Sequence, residues 1–151
     1  ISVHFSEIFE TLFPGGKGSL SFTDKTNILE TGIEISVQPR GKKVKKLSLL
    51  SGGERSLAAI AFLFSIFKSF PSPFYILDEV EAALDDANLH RMINLLDKIK
   101  EDAQYIIVTH QQQTMHAGDV LYGVTMEPGS GSRVFTKTKE DFESLIGTNE
   151  K

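Results

Sequence analysis

Leu50-Ser51-Gly52-Gly53-Glu54, the apolar run Leu57 to Phe67 and then Phe74-Tyr75-Ile76-Leu77-Asp78-Glu79 form the stretch around which this 151-residue chain is organised. Ser51 with Glu54 three residues later, just ahead of an apolar run, is a capping-box pattern: Ser51 is the N-cap and Glu54 reaches back to it. A helix therefore starts here. Two glycines in its first turn leave backbone N–H groups uncovered. The helix start thus combines orphan donors, the positive end of the dipole and a serine hydroxyl, all suited to a phosphate. An ordinary capped helix with a flexible lead-in has the same local pattern, and Ser-Gly-Gly-Glu alone does not separate the two.

A second element tips the balance. Phe74 to Leu77 is a short continuous apolar run, the pattern of a strand buried on both faces, and Asp78 and Glu79 fall at its C-terminal end. In open α/β sheets that edge is where ligands bind. An acid there can hold Mg²⁺, directly or through water, while the next orients or deprotonates a water attacking a γ-phosphate. A solvated turn would also place two acids there. Tyr105-Ile106-Ile107-Val108-Thr109 repeats the buried-strand pattern, and His110 follows at once, where its imidazole can hydrogen-bond a γ-phosphate. Three such features in this order indicate the phosphate end of a nucleotide hydrolase.

Leu50 to Glu54 resembles the signature motif of ATP-binding-cassette (ABC) ATPases, Phe74 to Glu79 their Walker B strand, Ala83-Leu84-Asp85 the D-loop and His110 the switch histidine. Within that superfamily the chain is most similar to the C-terminal head segment of bacterial structural-maintenance-of-chromosomes (SMC) proteins. Leu47 to Leu57, Tyr75 to Asn88 and Asp119 to Met126 carry that similarity. The resemblance implies an α/β fold: the C-terminal half of an ABC-type P-loop ATPase head, with a mostly parallel sheet flanked by helices, a small antiparallel layer and a C-terminal hairpin. Residues 1–151 are expected to form a single lobe, with a coiled coil before residue 1.

The apolar and charged fractions, 40% and 24%, are those of a globular chain. No apolar run reaches transmembrane length, and no signal peptide is visible. Zero cysteines exclude disulfides and thiolate metal sites, which agrees with a cytoplasmic setting, at the nucleoid by resemblance. The chain opens at Ile1 rather than Met, as an excised segment would. A net charge of −4 argues against a uniformly nucleic-acid-coating protein. The charge is uneven, however: Arg40, Lys42, Lys43, Lys45 and Lys46 form a basic run and Asp78, Glu79, Glu81, Asp85 and Asp86 an acidic one. The basic run is a candidate for DNA phosphate contact, with a solvated loop as the alternative.

In chain order, Phe5, Ile8, Phe9 and Leu12 mark one face of a helix that Pro14-Gly15-Gly16 ends. Leu20 to Phe22 and Ile33 to Val37 read as strands, the latter alternating to bury Ile33, Ile35 and Val37. Pro71 and Pro73 interrupt the chain before the Phe74 strand. Asp85 or Asp86 can cap a helix with Leu89, Met92, Ile93, Leu96 and Ile99 on one face. Asp119 to Met126 and Arg133 to Thr136 read as strands joined by a turn at Pro128-Gly129-Ser130-Gly131, and Lys139 to Ile146 as a short helix carrying Phe142 and Ile146.

One absence shapes the functional reading. A phosphate loop needs Gly-x-x-x-x-Gly-Lys followed by Ser or Thr. At Gly15-Gly16-Lys17-Gly18-Ser19 the residue five before Gly16 is Thr11, and Gly18 follows Lys17, so the motif is missing. The resemblance then implies a split head, whose Walker A half comes from the N-terminus of the same protein. Two heads sandwich two ATP molecules. Leu50, Ser51, Gly52, Gly53 and Glu54 of one head face the γ-phosphate held by the other. By the same resemblance Asp78 is expected to bind Mg²⁺ through water, Glu79 to be the general base or water-positioning group, His110 to sense the γ-phosphate and Asp85 to couple the sites. Further implied partners are a second SMC head, the winged-helix domain of a kleisin subunit, and DNA. The isolated chain is expected to be inactive. Gln111 and Gln112 depart from the basic residue that many relatives carry after the histidine. A DNA-repair ABC ATPase with the same split head, and a non-enzymatic interaction lobe, are the competing readings.

Overall fold

The computed structural model describes residues 1–41, 45–126, 129 and 131–141, arranged as two compact units, one of residues 1–108 and one beginning at Thr109. The first opens with helix α1, Ser2–Leu12, which buries Phe5, Ile8, Phe9 and Leu12, the face set by their i, i+3, i+4, i+7 spacing. Gly15, with φ 75, turns the chain into strand β1, Lys17–Phe22. Strand β2, Ile33–Gln38, pairs antiparallel with β1, and β3, Lys45–Lys46, pairs antiparallel with β2. The strand pattern predicted over 33–37 is present, but burial is graded: Val37 is buried, Ile35 half-buried and Ile33 exposed. Only the end of the sheet nearest α1 is covered.

Gly18 of β1 explains how that end closes. A Cβ there would stand 2.6 Å from Phe9 Cγ and 2.9 Å from Phe5 Cε1, so the two rings rest on bare backbone. Ser6 Oγ adds a hydrogen bond to the Gly18 carbonyl at 2.8 Å.

Helix α2, Gly52–Ser69, begins at the Ser51 cap and buries Leu57, Ala58, Ile60, Ala61 and Phe64. Helix α1 packs along it: the Phe5 and Phe62 rings meet edge-on at 6.3 Å. Lys68 Nζ pairs with Glu7 at 2.9 Å and holds that carboxyl below its usual range. Ser69 Oγ donates to the Ser65 carbonyl at 2.7 Å and lies 2.9 Å from His4 Nδ1. Strand β4, Phe74–Asp78, helix α3, Asp86–Ile99, and strand β5, Gln104–Val108, form a β-α-β unit whose strands pair parallel, Ile76 opposite Ile106 and Asp78 opposite Val108. The α3 face buries Leu89, Met92, Ile93, Leu95 and Leu96.

Aromatic stacking fixes this sheet to α2. Phe67 stacks on Tyr75 at 4.0 Å, Tyr75 on Tyr105 at 5.3 Å, and Phe64 tilts onto Tyr105 at 6.2 Å. The Tyr75 hydroxyl accepts from Ser72 N at 2.8 Å and donates to the Phe67 carbonyl at 3.2 Å, which satisfies its polar end. Burial first, then the neighbouring Tyr75 and Asp102, pushes the Tyr105 phenol up to about 12.

Two expectations need correction. The sheet is not mostly parallel: among the described residues β4–β5 is the parallel pair, and the other two sheets are antiparallel. Nor are β4 and β5 buried on both faces. Tyr75, Leu77, Tyr105 and Ile107 are covered or half-covered, but Phe74 (52% exposed), Ile76 (63%), Ile106 and Val108 lie open on the opposite face. An apolar run reports the intended environment of a strand, and among the described residues of the first unit helices cover one side only.

The second unit contains helix α4, Gln112–Ala117, and an antiparallel hairpin of β6, Val120–Met126, and β7, Ser132–Thr138. Gly123 of β6 sits beneath the Phe135 ring of β7, where a side chain would collide. Residues 139–141 are helical; Phe142 and Ile146 lie outside the described residues, as do Pro128 and Ser130 of the expected turn. No described helix is long and apolar enough to cross a membrane.

Replacing Gly18 by alanine should cost about 1–3 kcal/mol, the usual penalty of overpacking, seen as a lower melting temperature. An unchanged melt would contradict the seating of Phe5 and Phe9 on β1.

Candidate functional site

The capping box is formed as its sequence requires. Ser51 Oγ accepts from Glu54 N at 3.4 Å, while Glu54 Oε2 accepts from Ser51 N at 3.2 Å and from the Ser51 hydroxyl at 3.1 Å. Leu50, buried, anchors the approach, with its N–H donating to the Leu47 carbonyl at 3.2 Å. The two glycines of the first turn differ in surroundings. Nothing lies within 4 Å of a Cβ on Gly52, whereas one on Gly53 would meet Asn88 Nδ2 at 3.3 Å and Asp85 Oδ2 at 3.5 Å. Gly52 faces open space, and Gly53 faces the start of α3.

Asp78 ends β4 on the uncovered face of the sheet, in line with Phe74 and Ile76. Glu79 follows with φ 46, the one non-glycine residue of positive φ among those described. Its N–H donates to the Val108 carbonyl at 2.9 Å, and its carbonyl accepts from Ala82 N at 3.1 Å. The left-handed conformation costs a residue with a Cβ of order 1–2 kcal/mol, and such strain gathers at functional positions. Glu81 is almost fully buried, so it drops out of the solvent-facing acidic run. Asp85 is the N-cap of α3: Oδ1 accepts from Asn88 N at 2.8 Å and Oδ2 from Asn88 Nδ2 at 3.2 Å. Arg91 Nη1 then donates to Asn88 Oδ1 at 3.1 Å.

The structure therefore brings Gly53, Asp85 and Asn88 together, and holds Glu79 at the head of the turns that lead to Asp85. His110 belongs to the second unit and is exposed. Gln111 N donates to Thr109 Oγ1 at 2.9 Å, and Gln111 and Gln112 open α4.

The basic run is only partly in view. Lys42 and Lys43 lie outside the described residues, as does the Lys45 side chain. Lys46 is ion-paired with Glu34 at 2.6 Å, which holds its ammonium above the usual lysine range. Arg40 is exposed, its stem lying along Gly15. Lys45 and Lys46 form strand β3 rather than a loop.

Among the described residues no group of three His, Cys, Asp or Glu side chains is placed to hold a metal ion. A cleft of about 630 Å³ lined by Ser6, Glu10, Lys17, Ser19 and Gln38 shares none of the candidate residues. The phosphate-suited helix start is an open surface. Glu79's conformation and the approach of Asn88 to Gly53 escaped the sequence, since neither a dihedral angle nor a contact between two helices leaves a local pattern. The nearest available signal is Asn88 three residues after the Asp85 cap, a spacing that lets the cap and the amide meet in one helical turn.

Against known proteins, residues 17–133 match the family model described as RecF/RecN/SMC N terminal domain. The chain is 58% identical over 123 residues to the chromosome partition protein Smc of Mycolicibacterium paratuberculosis, covering 82% of this chain and 10% of that protein. A solved structure described as structural biochemistry of ATP-driven dimerization and DNA stimulated activation of SMC ATPases superposes with a TM-score of 0.84 and 38% identity. That match spans 99% of this chain and 91% of the other. An SmcHead bound to the C-winged helix domain of ScpA gives 0.83 and 40%, over 92% and 43%. The α/β architecture is that of an SMC ATPase head, and the chain belongs to the RecF/RecN/SMC family. It spans about a tenth of the length of the curated relatives it matches.

Glycine at position 79 accepts φ 46 without strain, so Glu79→Gly should leave the melting point unchanged or raise stability by up to about 1 kcal/mol. A clear loss of stability would mean that the Glu79 side chain holds the turn.

Proposed function

We propose that this chain is the C-terminal half of a composite ATP-binding and hydrolysing head of a chromosome-organising SMC protein. Residues 1–151 act as one lobe, and the Walker A half comes from the N-terminus of the same protein. The observation that carries this reading is the open apolar face of β4–β5. Phe74, Ile76, Ile106 and Val108 lie uncovered on the face that also bears Asp78. Burying such a face is favourable by about 25 cal/mol per Å², and a second half-head is a natural cover. The family model's description refers to an N-terminal domain. Placement on the C-terminal side rests instead on the order of signature, acidic strand end and histidine, and on the missing phosphate loop.

In this reading Ser51, Gly52 and Gly53 offer the α2 start, with Leu50 and Glu54 fixing its shape, to the γ-phosphate of an ATP held by a second head. Glu79 positions or deprotonates the attacking water, and His110 senses the γ-phosphate. Asp78 would hold Mg²⁺ through water. A lone carboxylate at an open strand end fits Mg²⁺, which keeps most of its waters and takes other ligands from phosphates. The ion would supply charge neutralisation on the phosphates. Asp85, beside Gly53, links the two sites of the dimer. ATP thereby gates engagement of two heads on DNA, in the bacterial cytoplasm at the nucleoid. Arg40 and Lys42, Lys43, Lys45 and Lys46 are the candidate DNA contacts. The isolated chain is inactive.

The second unit has its own uncovered face: Val120, Tyr122 (71% exposed), Val124, Met126 and Val134 share one side of the hairpin. With an Smc head bound to the winged-helix domain of ScpA among the solved relatives, this face is the proposed seat of a kleisin winged helix.

In the full-length protein, Glu79→Gln and Ser51→Arg should each abolish ATP turnover. Glu79→Gln should also accumulate an ATP-dependent dimer that the Ser51→Arg change prevents, as read by size-exclusion chromatography. Full turnover by Glu79→Gln, or dimerisation of the double variant, would falsify the assignment.

A further inference from the structure

We infer that Asn88 is a positioning residue that locks the signature-helix start and the Asp85 turn into one rigid body, and that Gly53 is glycine to admit this contact. The inference rests on the composite-site reading. Asn88 is buried, and both the nitrogen and the oxygen of its amide are engaged. Its main-chain N–H and its Nδ2 hold the two oxygens of Asp85 at 2.8 and 3.2 Å, and its Oδ1 accepts from Arg91 at 3.1 Å. Arg91 thereby fixes which way the amide points, with Nδ2 toward Asp85 and Gly53. A Cβ on Gly53 would lie 3.3 Å from that Nδ2 and 3.5 Å from Asp85 Oδ2, against both atoms of the Asn88–Asp85 pair.

The consequence is mechanical. Asp85 follows Glu79 by six residues through two tight turns, Ala82 N to the Glu79 carbonyl and Leu84 N to the Glu81 carbonyl. A displacement of Glu79's turn is therefore carried to Asp85, and through Asn88 to the first turn of α2. The group facing one nucleotide and the group facing the other move together. A misplacement of about 1 Å at such a junction costs up to about a hundredfold in rate.

Gly52 separates this role from plain backbone freedom. Its Cβ position is open to solvent, so a side chain there disturbs only what approaches from outside the chain. A side chain on Gly53 presses on Asn88 from within.

The test compares full-length wild type with Asn88→Ala, Gly53→Ala, the Asn88→Ala/Gly53→Ala double variant and Arg91→Ala, with Ser51→Arg as reference. The readouts are kcat, KM for ATP and the melting temperature. Asn88→Ala should lower kcat about tenfold or more with KM little changed, and Arg91→Ala should move kcat the same way by less. Gly53→Ala should be impaired, and the double variant no worse than the poorer single one, because removal of the amide relieves the crowding. Wild-type kcat in both Asn88→Ala and Arg91→Ala, or losses that multiply in the double variant, overturns the inference. Should Asn88→Ala fail to fold, Arg91→Ala and Gly53→Ala decide the matter alone. Full activity of Ser51→Arg overturns the composite-site reading itself, whereas its inactivity beside wild-type kcat in both Asn88→Ala and Arg91→Ala overturns only the role of Asn88.

Discussion

The stacking of Phe67 on Tyr75 is the constraint from which the rest of the first unit takes its position. It joins α2 to the β4–β5 sheet, with ring centroids 4.0 Å apart and the Tyr75 hydroxyl tied back to the helix it supports. With that end pinned, α2 reaches along α1 through Phe5 and Phe62 and brings its first turn beside the α3 cap, where Gly53 meets Asn88. One helix thus connects the aromatic stack to the Ser51-capped start, the proposed phosphate site. The capping box at Ser51 then decides how that start is presented, because it leaves the Gly52 side clear.

The same sheet is covered on one side only. Alternation along β4 turns Tyr75 onto α2, buries Leu77 on the same face and leaves Phe74, Ile76 and Asp78 facing outward. A β-α-β unit with two strands and one covered face lacks the second helical layer usual for a parallel sheet. The exposed apolar residues and the exposed acid share a single surface. Whatever buries the former also reaches the latter, which is why a half-head, rather than a small ligand, is the cover proposed.

Much of this was legible in the residues. The helix beginning at Ser51, the Asp85 cap and the buried faces of α1 and α3 follow from local spacing and side-chain chemistry, and local rules suffice for them. The two-sided burial expected of Phe74 to Leu77 and Tyr105 to Val108 was not met, because an apolar run does not say which chain will cover it. Strand β3 and helix α4 went unnoticed for different reasons. Lys45–Lys46 is too short and too charged to read as a strand, and Gln112–Ala117 is a polar six-residue helix without a periodic apolar face. At the site, Asp78, Glu79 and Ser51 stand out as residue types at element ends. The strain at Glu79 and the approach of Asn88 to Gly53 arise only once the elements meet, although the bonds of Asn88 to Asp85 and Arg91 are local to the first turn of α3.

The measurement that bears most directly on the central claim is ATP hydrolysis by this chain alone and after combination with a half-head carrying the phosphate loop. The account predicts no turnover by either piece and restored, Mg²⁺-dependent turnover when the two are joined. Hydrolysis by the isolated chain, or none from a joined and folded head that dimerises, would contradict it.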